Sequence, residues 1–256
     1  MWVLAIAIYF GCKWLTWRRT PAPNAPAWRV AAYMFAWPGM DAQAFLNRIS
    51  SRPRVDEWIL AFAKLLCGLL LLYGVVPAIP GDYPYIQGWT GMIGIVLILH
   101  FGIFHLLSCF WRYRRIDARP LMNAPLISTS LAEFWGRRWN TAFRDLTHRF
   151  LFRPLITRLG AKAALAIGFI VSGLVHDVVI SIPAGAGYGG PTAFFLIQGA
   201  AIFIERTPAA RRLGLGRGPT GWLFAMLVLA APSCLMFHRL FVLNVVLPFL
   251  HVLRAI

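Results

Sequence analysis

Hydrophobic residues in this chain come in long runs separated by short polar stretches, the pattern of helices that are apolar on every side. Runs at 1–17, 58–76, 88–110, 161–182, 191–205 and 220–237, with a further one at 240–253, reach or approach the length needed to cross a bilayer. They predict an all-α, polytopic integral membrane protein of about six to seven transmembrane helices, forming a single membrane domain over 1–256. One region departs from the pattern. Between 128 and 158, Trp135, Trp139, Ala142, Phe143, Leu146 and Phe150 recur at steps of three and four, while Glu133, Arg137, Asn140 and Arg144 share an opposite stripe. That spacing predicts an amphipathic cytoplasmic helix with Ser130 as its N-cap, Glu133 completing a capping box, and Glu133 and Arg137 placed for an i,i+4 ion pair.

Composition agrees with the spans. The chain is 59% hydrophobic and 13% charged, with mean hydropathy +0.65, which is more apolar surface than a soluble domain of 256 residues can bury. A net charge of +16 in a soluble protein would suggest nucleic acid. Here the arginines lie between membrane-length runs, so they report topology and contact with membrane lipids, and no nucleic-acid partner is expected. Loops 18–57, 111–160 and 206–219 are rich in Arg, whereas 77–87 and 183–190 have neither Arg nor Lys. This alternation sets the basic loops in the cytoplasm and the N-terminus outside. High Ala and Arg content points to a bacterial cytoplasmic membrane.

Cys12, Cys67, Cys109 and Cys234 lie in or beside apolar runs without CxxC spacing or a paired His, so they read as small apolar residues and no metal site is expected. His100 and His105, five residues apart, are poorly spaced for two ligands on one helical face. The Gly-rich "PAGAGYGGP" at 183–191 lacks the ending of a phosphate loop and reads as a turn.

The run "AKAALAIGFIVSGLVHDVVISIP" sets His176 and Asp177 deep among apolar residues. Ionisable groups at membrane depth are costly and commonly functional. Ser172 and Gly173 share the face of His176 and leave room there for another helix or for a substrate. Asp177, about 100° around the helix, is expected to pair with an Arg of another segment or to lie near the outer surface.

"FWGRRWN", followed 36 residues after Asn140 by the His of "SGLVH", resembles the membrane-bound O-acyltransferase family and most closely its wax synthase-like branch. The resemblance implies a catalytic core segment over 128–205, with His176 as the catalytic base and Asn140 as its partner. It also implies transfer of a fatty acyl group from acyl-CoA, a co-substrate, to the hydroxyl of a fatty alcohol, sterol or other lipid-like alcohol, with no other cofactor. Asn140 is then expected either to orient the imidazole or to donate to the oxyanion. Arg137, Arg138 and Arg144 are candidates for the CoA phosphates. Trp135, Trp139, Ser172 and Gly173 complete the expected substrate-binding set. Asp177 stands where such sequences often have Glu. Two other readings remain: a sugar or secondary-metabolite hydroxyl as acceptor, and a transporter with His176 and Asp177 as a proton relay.

Overall fold

A computed structural model describes residues 2–256, so Met1, the first residue of the first expected span, lies outside it. Helices occupy all seven apolar runs, and among the described residues the one β-contact is an isolated bridge between Ile49 and Ile116. Four helices are long and apolar enough to cross a bilayer: Val55–Ala78, Pro84–Tyr113, Thr141–Ala184 and Gly218–Met236. Gly190–Glu205 and Arg239–Val252 are shorter apolar helices, and Trp2–Arg18 has 17 residues. At most 28% of the most apolar window of any long helix is buried by protein, which leaves side chains such as Ile59, Leu66, Leu174 and Leu227 facing outward. Such surface is stable only in lipid. The chain is an integral membrane protein.

Contacts divide the chain into two compact units, where the sequence predicts one domain. The first comprises 2–122, 140–146 and 249–256; the second comprises 123–139 and 147–248. Residue 140 therefore belongs to the first unit and residue 176 to the second.

In the first unit, Val55–Ala78 and Pro84–Tyr113 pack backbone to backbone. A Cβ on Gly68 would lie 2.8 Å from the Ile98 nitrogen and 2.9 Å from the Gly94 oxygen, so only glycine permits the approach. Beside this pair, Tyr33, Trp37, Phe45 and Trp111 form an aromatic core, with Lys13 buried over the Tyr33 ring at 3.4 Å and donating to the Gly39 carbonyl at 2.7 Å. In the second unit, Leu131, Phe169, Phe194, Phe195, Ile202 and Ala225 form a core shared by the helices Arg153–His176, Gly190–Glu205 and Gly218–Ala230. The first of these is interrupted at Gly160, whose φ of +78° and ψ of 166° end one helical rod and start another. The rod that follows corresponds to the predicted span from 161.

Candidate active site

The predicted amphipathic helix has Ser130 as its N-cap, but Glu133 reaches back to Thr129 and not to Ser130, so the capping box is not closed, and the helix then breaks. Ser130 accepts a hydrogen bond from the Glu133 nitrogen at 3.0 Å, while the Glu133 carboxylate takes the Thr129 N–H at 2.9 Å. Buried Glu205 accepts the next two N–H groups, from Leu131 at 2.8 Å and Ala132 at 2.9 Å. Four donors of an otherwise unsatisfied helix start are thus matched by three side chains.

Phe134–Arg138 then forms a wide π-type turn, closed by the Trp139 N–H donating to the Phe134 carbonyl at 2.8 Å. Trp139 is extended, with φ −94° and ψ 128°, and Asn140 is left-handed, with φ +41°. A new helix, Thr141–Thr147, starts after it. Two expectations are corrected. The face running from Trp135 to Phe150 is not a single helical face, because two consecutive non-helical residues divide it. Glu133 pairs with Arg138 at 2.7 Å and not with Arg137, because a π-type turn brings i and i+5 together where an α-turn brings i and i+4.

Asn140 suits the left-handed position, which non-glycine residues other than Asn and Asp seldom adopt. Its Oδ1 accepts the Phe143 N–H at 3.2 Å, capping the new helix, and its amide NH2 makes no hydrogen bond among the described residues. Trp135 lies among Phe134, Phe169, Phe194 and Phe195, and donates from Nε1 to Gln198 at 3.3 Å. Gln198, fully buried, donates in turn to the Val228 carbonyl at 2.8 Å. Trp139 stacks on Phe134 at 5.4 Å. Arg138 is committed to Glu133 and to the carbonyls of Asn123 and Ala124, and Arg144 pairs with Asp145. Arg137 is exposed and makes no hydrogen bond or ion pair among the described residues.

His176 ends the Arg153–His176 helix. Its Nδ1 lies 2.6 Å from the carbonyl oxygen of Ser172, four residues earlier. A carbonyl can only accept, so Nδ1 carries the hydrogen and Nε2 keeps its lone pair. The ring packs at 4.6 Å against Phe195, which reaches Trp135 at 5.4 Å. The first motif and the histidine are joined through that one phenyl ring. Ser172 is buried and serves the histidine through its backbone. The space beside Gly173 holds a helix: a Cβ there would lie 2.6 Å from the Thr192 Cα.

Asp177 has partners the sequence did not suggest. It pairs with no arginine among the described residues. Its carboxylate accepts from the Ser181 hydroxyl at 2.9 Å, the Gly189 nitrogen at 2.8 Å, the Thr192 nitrogen at 3.1 Å and the Thr192 hydroxyl. The acid thereby caps the Gly190–Glu205 helix and ties the Gly-rich turn to the histidine helix. A third feature escaped the sequence reading. Arg206, Arg211 and Arg217, together with Ser130, line an open cavity of roughly 360 Å³. In the sequence their loop carries only a topology signal.

Residues 118–197 match the sequence pattern of the membrane bound O-acyl transferase family, a stretch that includes both FWGRRWN and SGLVH. Over that stretch the chain is similar to that family. The chain is also similar to a probable long-chain-alcohol O-fatty-acyltransferase 2 of Arabidopsis thaliana, 28% identical over 70% of this chain and 58% of the relative. A long-chain-alcohol O-fatty-acyltransferase of Simmondsia chinensis is 33% identical over 35% of this chain and 28% of its own length. An acyl-CoA–sterol O-acyltransferase 1 of Arabidopsis thaliana is 34% identical over 25% of this chain and 21% of its own. The chain spans little more than half the length of the first of these relatives and less of the others.

Proposed function

We propose that this chain transfers a fatty acyl group from acyl-CoA to the hydroxyl of a lipid-like alcohol, forming an ester, with His176 as general base. The observation that carries the reading is the Nδ1 hydrogen bond from His176 to the Ser172 carbonyl, which leaves Nε2 as a proton acceptor in an aromatic, lipid-depth setting. In this mechanism Nε2 takes the proton of the alcohol as its oxygen attacks the thioester carbonyl. The tetrahedral intermediate expels the CoA sulfur, which receives that proton from the imidazolium, giving ester and free thiol. Because Ser172 already orients the imidazole, Asn140 is assigned the other role open to it, donation from its amide NH2 to the oxyanion.

The CoA phosphates are assigned to arginines with uncommitted guanidinium groups: Arg137, and Arg206, Arg211 and Arg217 around their common cavity. Long-chain alcohols and a sterol are the acceptors that the plant relatives' names give, and fatty alcohols and sterols are the acceptor class proposed for this chain. The Arg-rich loops are assigned to the cytoplasmic side, with the N-terminus outside, in a bacterial cytoplasmic membrane.

The test is release of thiol from long-chain acyl-CoA by the purified protein, with a fatty alcohol or a sterol as acceptor. Wild type is expected to release CoA in step with ester formation. His176→Ala and Asn140→Ala, each folded, are expected to lose at least roughly 100-fold in kcat. Full turnover by folded His176→Ala contradicts the assignment.

A further inference from the structure

A second group of reactive side chains lies in the first unit, apart from His176 in sequence and in unit. Glu57, His105 and Cys109 each offer one ligand atom, and these atoms lie within 4.8 Å of one another. Cys109, expected to be a small apolar residue without a paired histidine, has His105 beside it. His105 and Cys109 are i,i+4 on the Pro84–Tyr113 helix, the spacing that sets two ligands on one face. Glu57 comes from the first turn of Val55–Ala78, so the three residues join two helices at the same end of the pair.

The histidine supplies an independent sign. His105 is 9% exposed, and its Nδ1, sealed from solvent, has no hydrogen-bond partner. Leaving such an atom unmatched costs roughly 1–3 kcal/mol, and a metal ion would satisfy it. Cys109 is 0% exposed, while the Glu57 side chain keeps 29% of its surface, giving an ion a path from the aqueous end of the helices.

We propose that Glu57, His105 and Cys109 form a site for a thiophilic divalent cation of the zinc class. The donor set of one sulfur, one imidazole nitrogen and one carboxylate oxygen excludes calcium and magnesium, which require oxygen ligands, and fits a tetrahedral ion with one position left for water. Binding displaces the thiol hydrogen of Cys109 as a proton, and the sulfur–metal bond takes its place. Arg112 Nη2 bridges two of the three ligands, donating to Glu57 at 2.6 Å and to the Cys109 sulfur at 3.7 Å, so an entering ion takes the place of this guanidinium, which moves outward. Lys64 adds a further positive charge near His105 and Cys109. The bound ion would clip the entrance of Val55–Ala78 to the exit of Pro84–Tyr113.

The test uses the full chain in detergent, stripped by a chelator, reloaded with zinc or cobalt(II) and desalted. Wild type is expected to retain about one metal per chain, with a thiolate-to-cobalt charge-transfer absorption in the near ultraviolet. Cys109→Ser is expected to lose that absorption, and Cys109→Ser with His105→Gln to retain less than about a tenth of the zinc. Zinc should also raise the thermal midpoint of wild type and not that of the double variant. Wild type retaining no more zinc than the double variant overturns the proposal, as does bound cobalt without the sulfur band. The band is read on wild type, so the test survives poor folding of a variant, and neither readout depends on acyl transfer.

Discussion

Glu133 and Arg138 face each other across a five-residue step, at 2.7 Å, with about a fifth to a quarter of each side chain exposed. This pairing depends on the wide turn at Phe134–Arg138, and it separates two adjacent arginines that look equivalent in sequence. Arg138→Ala also strips hydrogen bonds from the carbonyls of Asn123 and Ala124, so it should cost about 1–3 kcal/mol. Arg137→Ala should change stability by less than about 0.5 kcal/mol, and any effect should appear in KM for acyl-CoA. Thermal unfolding in detergent and steady-state kinetics separate the two.

The same pair sets a pH dependence. Burial raises the Glu133 pKa, but hydrogen bonds from Thr129 and the Arg138 guanidinium outweigh it and hold the carboxyl below its ordinary 4.5. A carboxylate with a depressed pKa contributes stability that is present above its unfolded value and lost as pH falls through the folded one. The stability advantage of wild type over Glu133→Gln should therefore be constant near neutrality and shrink below pH 4.5. Unfolding midpoints measured down to the acid limit of the micelle test this, and a gap that does not narrow contradicts it.

Gly173→Ala should separate the histidine helix from Gly190–Glu205, since the added methyl would sit 2.6 Å from the Thr192 Cα and that atom is backbone. Overpacking of this kind costs about 1–3 kcal/mol. It should also draw the Thr192 hydroxyl from Asp177, so activity should fall along with the thermal midpoint.

Asp177→Ala removes the acceptor for Ser181, Gly189 and Thr192 at once. The loss should be about 2 kcal/mol or more in stability. If the residue were a proton relay, Asp177→Asn would abolish activity with little change in stability. As a cap, Asn should retain part of both.

Ser172 meets His176 through its backbone, so Ser172→Ala should keep the tautomer and leave kcat within roughly threefold of wild type. A loss as large as that of His176→Ala would show that the hydroxyl acts directly.

Each of the seven apolar runs lies in a helix because hydrophobicity along one segment is a local property. Ser130 and Glu133 were legible for the same reason, their chemistry being exchanged within one turn. What escaped was whatever depends on a departure from α-helical period. The turn at Phe134–Arg138 and the left-handed Asn140 shift every later residue off the stripe that regular spacing draws. Contacts between remote segments were equally hidden: Gln198 to Trp135, Asp177 to Gly189, and Glu57 to His105 and Cys109. The His176 ring was legible as a site, but its orienting group was not, since any residue at i−4 supplies a carbonyl whatever its side chain.

Gly160 makes the histidine helix a ruler with a marked origin. Sixteen residues of regular rise carry the chain about 24 Å from that break to the imidazole, most of the thickness of a hydrocarbon layer. A ligand entering along this helix from the end at Gly160 would run nearly that far before it met the imidazole, so the break and the ring mark the two ends of one fixed length.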